Sequence, residues 1–368
     1  MKIAIIRSCL ETLTPRAIKN AQTLASAGHD VIVLAWDREQ KNPKLERRDG
    51  YQAYRSGPKA PYGARVLFYL PIWWSFEFWW LIRNRWDVVH AMDFDTVPPA
   101  MLAAKIKRKP LVYELADIYE DQRAFPRSIR TLFLYLDKMF MRQARAVIIA
   151  AEAQIEELDG IPNQNTITIY NSPPDLQQPV ARVDQGDTVF TIFYAGALHK
   201  LRQSNLDTVF QAIRDIDNVS LVVAGYGDQA GEIERQAKTT DQMQFLGWLS
   251  YPETLQRDLT ADLLISLYEP TRLNRHSLPN KLFEAMMCGK PILVTKGTAM
   301  ARVVEKEDCG LVVDSSNVDE IREAITRLRE EPELCRQLGA NGRKAYEQRY
   351  SWEIMAQRLL NLYQRVSG

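Results

Sequence analysis

Cysteine and histidine are scarce in this chain, at four each among 368 residues. Cys9, Cys288, Cys309 and Cys335 form no C-x-x-C pair. That excludes a disulfide framework and a zinc ribbon, and it points to a reducing compartment. His29, His90, His199 and His276 are too dispersed for a histidine-rich metal centre, so no metal site is expected. An excess of one charge is also missing. Lys+Arg number 47 against 46 Asp+Glu, a net charge of +1, which excludes a generally nucleic-acid-seeking surface. No apolar run reaches about 18 residues, so no membrane-spanning helix is expected. Arg7 cuts short the first apolar run, MKIAII, so no secretory leader is expected either. These absences leave a cytoplasmic protein, or one peripheral to the inner face of the cytoplasmic membrane.

What is present is a folded composition, 46% apolar and 25% charged, on a chain long enough for two domains. Short β-branched runs alternate with helical patterns, as βαβ units and parallel sheets require. Strands are expected at 2–6, 30–36, 87–91, 111–115, 146–150 and 166–170, with a first helix opening at Thr14-Pro15-Arg16 and capped near Gly28. After the polar segment 177–187 the pattern restarts, with strands at 188–196, 220–225, 244–248, 262–267, 291–295 and 310–314. Helices are expected at 205–216, 229–238, 252–259 and 280–288, and two long ones at 318–330 and 332–366. Two doubly wound sheets joined by a polar linker would create a cleft between their carboxyl edges, where such folds bind ligands.

Three segments of the second half carry chemistry. FYAGALHKLRQSNL (193–206) places Gly196 at a strand end, with Lys200 and Arg202 before the next helix, whose free N–H groups favour an anion. A solvated basic turn is the plain alternative. VVAGYGDQ (222–229) sets Gly225 and Gly227 after a strand, although Ala230 leaves G-x-G-x-x-G incomplete. The strongest segment is HSLPNKLFEAMMCGKPILVT (276–295). Pro279 marks a helix start with Ser277 as candidate cap, which presents the N–H groups near Asn280 and Lys281 to an anion. Glu284 lies one turn further along, within reach of ribose hydroxyls.

Taken in order, TPRAIKNAQTLASAGHDVIVL, DVVHAMDFDT, LVYELADIY, ITIYNSPPD, FYAGALHK, LVVAGYGD, FLGW, LPNKLFEAMMCGKP and GLVVD resemble the GT-B glycosyltransferases, specifically family 4 in an LPNK-type form. The resemblance spans nearly the whole chain. It implies an α/β GT-B fold with an acceptor-binding Rossmann-like domain at 1–176, a linker at 177–187 and a nucleotide-sugar-binding domain at 188–350. A C-terminal helix at 351–368 would return to the first domain. It also implies retention of anomeric configuration without a metal or other cofactor. Carried over by residue, Lys200 or Arg202 resembles the cation on the leaving diphosphate, with Lys281 adding charge. Glu284 resembles the ribose ligand, with Gly196, His276, Leu278, Pro279 and Asn280 around the donor. Gly225-Tyr226-Gly227 and Gly247-Trp248-Leu249 resemble loops about the base. Asp93 and Asp117 are candidates to position or deprotonate the acceptor, with helix capping as the alternative, and Arg16 is a further acceptor candidate. His90 reads as a satisfied buried histidine. The chain departs from the family at His276, where a first glutamate is common, at Ala116, where a histidine is common, and in SCLETLTPR, which lacks a glycine pair.

The segment FYLPIWWSFEFWWLIRNRW (68–86) holds five of the eight tryptophans. A helix from Pro71 would be apolar on nearly every side yet too short to span a bilayer. Trp73, Trp74, Trp79 and Trp80 with Arg83 and Arg85 suit a lipid interface, while a core helix or protein contact is the alternative. The sequence therefore reads as a glycosyltransferase moving sugar from a nucleotide-diphosphate donor to a lipid-linked or polysaccharide acceptor. A sugar-nucleotide epimerase and an inactive scaffold of the same fold are the rivals.

Overall fold

The computed structural model describes residues 1–10, 15–61, 64–116, 127–176, 189–199 and 204–367. The chain forms two compact units, one of Met1–Tyr170 with Met355–Gly368, the other of Asn171–Ile354.

The first unit runs β1 (Lys2–Arg7), α1 (Pro15–Ser26), β2 (Asp30–Trp36), β3 (Leu45–Arg48), β4 (Tyr51–Ser56), α2 (Leu70–Arg83), β5 (Val88–Met92), α3 (Val97–Lys107), β6 (Leu111–Leu115), α4 (Arg127–Gln143), β7 (Ala146–Ile149), α5 (Ala153–Glu157) and β8 (Thr166–Thr168). Its sheet has the order β3-β4-β2-β1-β5-β6-β7-β8. All neighbours are parallel except β3 and β4. Ile3 to Ile6 of β1 are buried on both faces, which is why a continuous Val/Ile run occupies the middle of the sheet. α1 stops where Gly28 takes φ +85° and its N–H donates to Ala25 O.

The β3–β4 hairpin is absent from the strands expected above. LERR offers no apolar alternation, because β3 is a charged edge strand, of a kind that discourages pairing with another chain. Its turn is Asp49-Gly50, both at positive φ, a recognised hairpin signal.

The aromatic segment is corrected in part. It forms α2 as expected, but Trp73 is fully buried and stacks on Trp36, with centroids 5.2 Å apart and planes 1° from parallel. Trp80 also belongs to the core, and half-buried Trp74 donates through Nε1 to Asp95 O at 2.7 Å. These three are therefore not surface anchors. Glu77 of the same helix is wholly buried, and burial followed by the neighbouring Asp95 raises its pKa well above the ordinary carboxyl value.

The second unit runs β9 (Phe190–Ala197), α6 (Leu206–Ile213), β10 (Val219–Tyr226), α7 (Ala230–Ala237), β11 (Met243–Phe245), α8 (Tyr251–Thr260), β12 (Leu263–Ser266), α9 (Arg272–Arg275), α10 (Asn280–Cys288), β13 (Ile292–Thr295), α11 (Ala299–Glu307), β14 (Gly310–Val313), α12 (Val318–Glu330) and α13 (Pro332–Ala345). Its all-parallel sheet is ordered β11-β10-β9-β12-β13-β14. Residues 171–176 already belong here. Arg343 grips the Asp175 carboxylate with two bonds of 2.7 Å, and Tyr346 Oη donates to Pro173 O at 2.8 Å.

The single helix expected over 332–366 is interrupted. A π-helical turn at Tyr346–Tyr350 and an extended Ser351 separate α13 from α14 (Trp352–Ser367). Buried Tyr346 and Tyr350 hold that turn, with Tyr350 Oη donating to buried Glu307 at 2.8 Å. From Met355 onward α14 packs into the first unit. Tyr170 N lies 3.2 Å from Met355 Sδ, and Arg358 Nη1 donates to Thr168 O at 3.0 Å.

Candidate functional site

In a doubly wound sheet ligands bind at the carboxyl edge, where the strand order reverses. That reversal falls between β9 and β12 in the second unit and between β1 and β5 in the first.

At the second unit's reversal point stands Lys281, in the first turn of α10. Its Nζ donates to Tyr268 Oη at 2.9 Å and lies 4.8 Å from the Tyr194 ring centroid and 5.5 Å from that of Tyr268. Among the described residues no carboxylate lies within ion-pair distance of this ammonium. A Cβ on Gly196 would sit 2.4 Å from Nζ, so glycine is what admits the lysine here. Pro279 is itself the N-cap of α10 and no side chain caps it, which corrects the expectation for Ser277. The first-turn amides of Asn280 and Lys281 thus stand at a helix N-terminus beside a cation, the arrangement that receives an anion. Leu278 and Pro279 are half-buried in the segment entering this helix, and His276 is half-buried at the end of α9.

Glu284 lies one turn along α10, buried, and its proximity, after burial, raises the pKa of the Tyr251 hydroxyl. Burial and then Glu284 raise the pKa of Asp258, against the pull of Lys281. Tyr251, Asp258 and Tyr268 lie outside the motif segments, and Tyr194 lies within FYAGALHK without an assigned role, so sequence reasoning missed all four. The only signal was their positions beside strand ends or on the preceding helix.

Gly225 and Gly227 have φ near +150°, and a Cβ on either would lie 2.0 Å from Gly196 O or 2.2 Å from Leu198 O. They let the ends of β9 and β10 meet backbone to backbone, with Gly225 N donating to Gly247 O at 2.7 Å. Tyr226 and Trp248 remain 58% and 67% exposed beside this glycine-rich shoulder, large aromatic faces left open to a planar ligand. Leu249 is half-buried next to Trp248. His199, also missed, lies with Nδ1 3.3 Å from Asp228 Oδ1 and its ring edge-on to Tyr226. Lys200, Arg202 and Asp117 lie outside the described residues. Among the described residues no three His, Cys, Asp or Glu side chains converge as a metal site would need.

The first unit's reversal point is built differently. Asp93 holds the unusual φ of +64° and is buried, accepting from Arg7 through Oδ2 and from Ala116 N–H through Oδ1 at 3.0 Å. Burial opposes the Arg7 charge, but Asp93 outweighs it and the guanidinium pKa rises. Arg16 is buried as well, donating to Glu114 and, from Nη1, to Ile169 O at 2.7 Å. Asn20 Nδ2 donates to Glu114 Oε2 at 2.7 Å, and His90 Nε2 lies 2.7 Å from the same oxygen. His90 is buried as expected, with Nδ1 2.9 Å from Tyr363 Oη on α14. Burial would raise the Glu114 pKa, yet Arg16 and His90 pull it down to about 2. Arg16 and Asp93 are both held inside the unit by these bonds, while Arg16 Nη2 is buried with no hydrogen-bond partner among the described residues.

On α2, Phe68 just before it, Ile72 and Trp79 are 82%, 55% and 52% exposed, and Arg83 lies 5.2 Å above the Trp79 ring. Arg85 is exposed beyond the helix. Among the described residues no helix is long and apolar enough to cross a membrane.

The sequence matches the family described as Glycosyltransferase Family 4 over residues 17–172 and that described as Glycosyl transferases group 1 over residues 181–345. It is 32% identical to a GDP-mannose-dependent monoacylated alpha-(1-6)-phosphatidylinositol monomannoside mannosyltransferase of Corynebacterium glutamicum, over 45% of this chain and 44% of that one. The chain spans about half the length of the first curated relatives it matches, 44% and 53%. In structure it is similar to sucrose-phosphate synthase from Thermosynechococcus elongatus, with TM-score 0.80 and 16% identity over 100% of this chain and 99% of that one. It is also similar to Anabaena HepE in complex with UDP and glucose, with TM-score 0.73 and 16% identity over 99% of each chain.

Proposed function

The chain belongs to the GT-B glycosyltransferases of group 1 and family 4, and on that premise we propose that it moves a sugar from a nucleoside-diphosphate donor to a glycan acceptor. The acceptor is lipid-linked or a polysaccharide, and transfer retains anomeric configuration without a metal. The observation that carries this reading is the Lys281 ammonium at the uncapped start of α10, with Glu284 one turn beyond it.

In this mechanism the bond between the sugar's anomeric carbon and the diphosphate oxygen breaks, and negative charge grows on the leaving diphosphate. Lys281 and the first-turn amides of α10 stabilise that charge, and Lys200 and Arg202 are assigned the same task from sequence. The acceptor oxygen forms the new bond on the face the diphosphate leaves, and its proton passes to a phosphate oxygen. Glu284 accepts from ribose hydroxyls, Trp248 and Tyr226 flank the base, and His276 and Gly196 face the sugar and diphosphate. Asp117 is assigned to the acceptor. The named relatives are a GDP-mannose-dependent enzyme and a protein solved with UDP, so GDP- and UDP-sugars are the donors to test.

The acceptor's lipid is proposed to be met at the inner face of the cytoplasmic membrane through Phe68, Ile72 and Trp79, with Arg83 and Arg85 toward headgroup phosphates. Flotation with vesicles of anionic phospholipid should be lost in the Trp79→Ala/Arg83→Ala variant, and unchanged flotation would remove this part of the reading.

For the donor site, a thermal-shift panel of UDP, GDP, ADP and CMP, with and without EDTA, is the direct test. One nucleotide at a hundred times its Kd adds about 2.7 kcal/mol of stability, and EDTA should not alter this. Glu284→Gln should diminish that shift. No stabilisation by any nucleotide would overturn the assignment.

A further inference from the structure

Tyr268 belongs to no motif and Tyr194 has no assigned role in FYAGALHK, yet both are buried against a half-buried cation at the point where the second sheet reverses its order. Tyr268 Oη accepts one Lys281 N–H, and Tyr194 Oη lies 3.3 Å from Tyr268 Oη and donates to Ala197 O at 3.3 Å. The two rings meet edge to face, with centroids 6.5 Å apart at 72°. The tyrosines thus fix each other's rings, while Lys281 Nζ lies 4.8 Å from the Tyr194 ring centroid and just beyond the Tyr268 hydroxyl.

We infer that Tyr194 and Tyr268 are positioning residues that hold the Lys281 ammonium for an incoming phosphate without neutralising it. The inference rests on the nucleotide-sugar reading of this site and names residues that reading does not require. The physical distinction is between two ways of holding a cation. A carboxylate cancels the charge it binds, and a phosphate must then compete with it. An aromatic face attracts the cation through its quadrupole and carries no net charge, so the field of the ammonium still reaches a ligand. One N–H is engaged by Tyr268, which leaves two donors for phosphate oxygens. The backbone opposite is Gly196, where any side chain would displace the ammonium. Lysine is a flexible point charge, and fixing it before the anion arrives lowers the entropy lost on binding.

The test uses the intact protein and titration calorimetry with UDP, GDP, ADP and CDP, carrying forward whichever binds wild type most tightly. Lys281→Met should weaken that nucleotide by about tenfold. Tyr268→Phe, which keeps the ring and loses only the acceptor hydroxyl, should weaken it by about threefold, and Tyr194→Leu by a similar factor, within the range of cation–π and hydrogen-bond effects. The decisive reading is coupling: Tyr268→Phe added to Lys281→Met should weaken binding no further. Additive losses, or full affinity in Tyr268→Phe, would overturn the inference. Glu284→Gln separates the two levels. If it weakens the nucleotide while Tyr268→Phe does not, the donor site stands and only the tyrosine role falls. If no nucleoside diphosphate binds wild type, both fall together.

Discussion

The two units reverse their strand order at equivalent points, and each places a cation there, but they treat it in opposite ways. In the first unit Arg7 is paired to Asp93 and, nearby, Arg16 to Glu114, all four buried or nearly so. In the second, Lys281 is half-buried and held by the Tyr194 ring and the Tyr268 hydroxyl. The first arrangement consumes its charge within the protein, as a buried pair does when it fixes a local geometry. The second keeps its charge available. A cation at a sheet's reversal point is therefore not in itself a ligand site, and the chemistry of its partner decides which it is.

The largest effect that would sharpen this contrast is on stability. Arg16→Met leaves the buried Glu114 with only His90 and the neutral Asn20 amide and should cost about 3–5 kcal/mol in urea unfolding. Wild-type stability should also depend on acid through Glu114. Its folded pKa, about 2, lies below the ordinary value of 4.5, so the stabilisation is complete above pH 4.5 and lost as pH falls toward 2. A variant as stable as wild type would mean that the first unit's pairs hold nothing. Next in size is Gly196→Ala, which should lower nucleoside-diphosphate affinity about tenfold, roughly 1.4 kcal/mol, by pushing the ammonium away. Unaltered affinity would break the comparison from the other side. The smallest effect is the most telling: Lys281→Met should change unfolding stability by no more than about 0.5 kcal/mol, because its charge supports a ligand and not the fold.

Most of the fold was legible because parallel strands buried on both faces are continuous Val/Ile runs, as in Ile3–Ile6 and Leu263–Ile265. The β3–β4 hairpin was not, since an edge strand such as LERR is selected for charge and hides the alternation that reveals strands. Trp73 and Trp80 were misread because a helix of nearly unbroken aromatics has no polar stripe to mark which side faces the core. Lys281 and Glu284 were visible through LPNKLFEA. Arg16 and Asp93 were visible as polar residues at carboxyl edges, but their partners Glu114 and Arg7 are far away in sequence. Tyr194 and Tyr268 are 74 residues apart and meet only through the topology that makes β9 and β12 neighbours.

The path of α14 decides which half of this protein can be cut out. The second unit is one uninterrupted stretch, Asn171–Ile354, so a single fragment contains all of it. The first is not one stretch. A fragment ending at Tyr170 would lack buried Met355, Leu359, Leu362 and Tyr363, and would leave His90 without its tyrosine and Thr168 O without Arg358. An isolated first unit has to be made by joining residue 170 to residue 355 through a short linker, so that the last helix is carried with the sheet it completes.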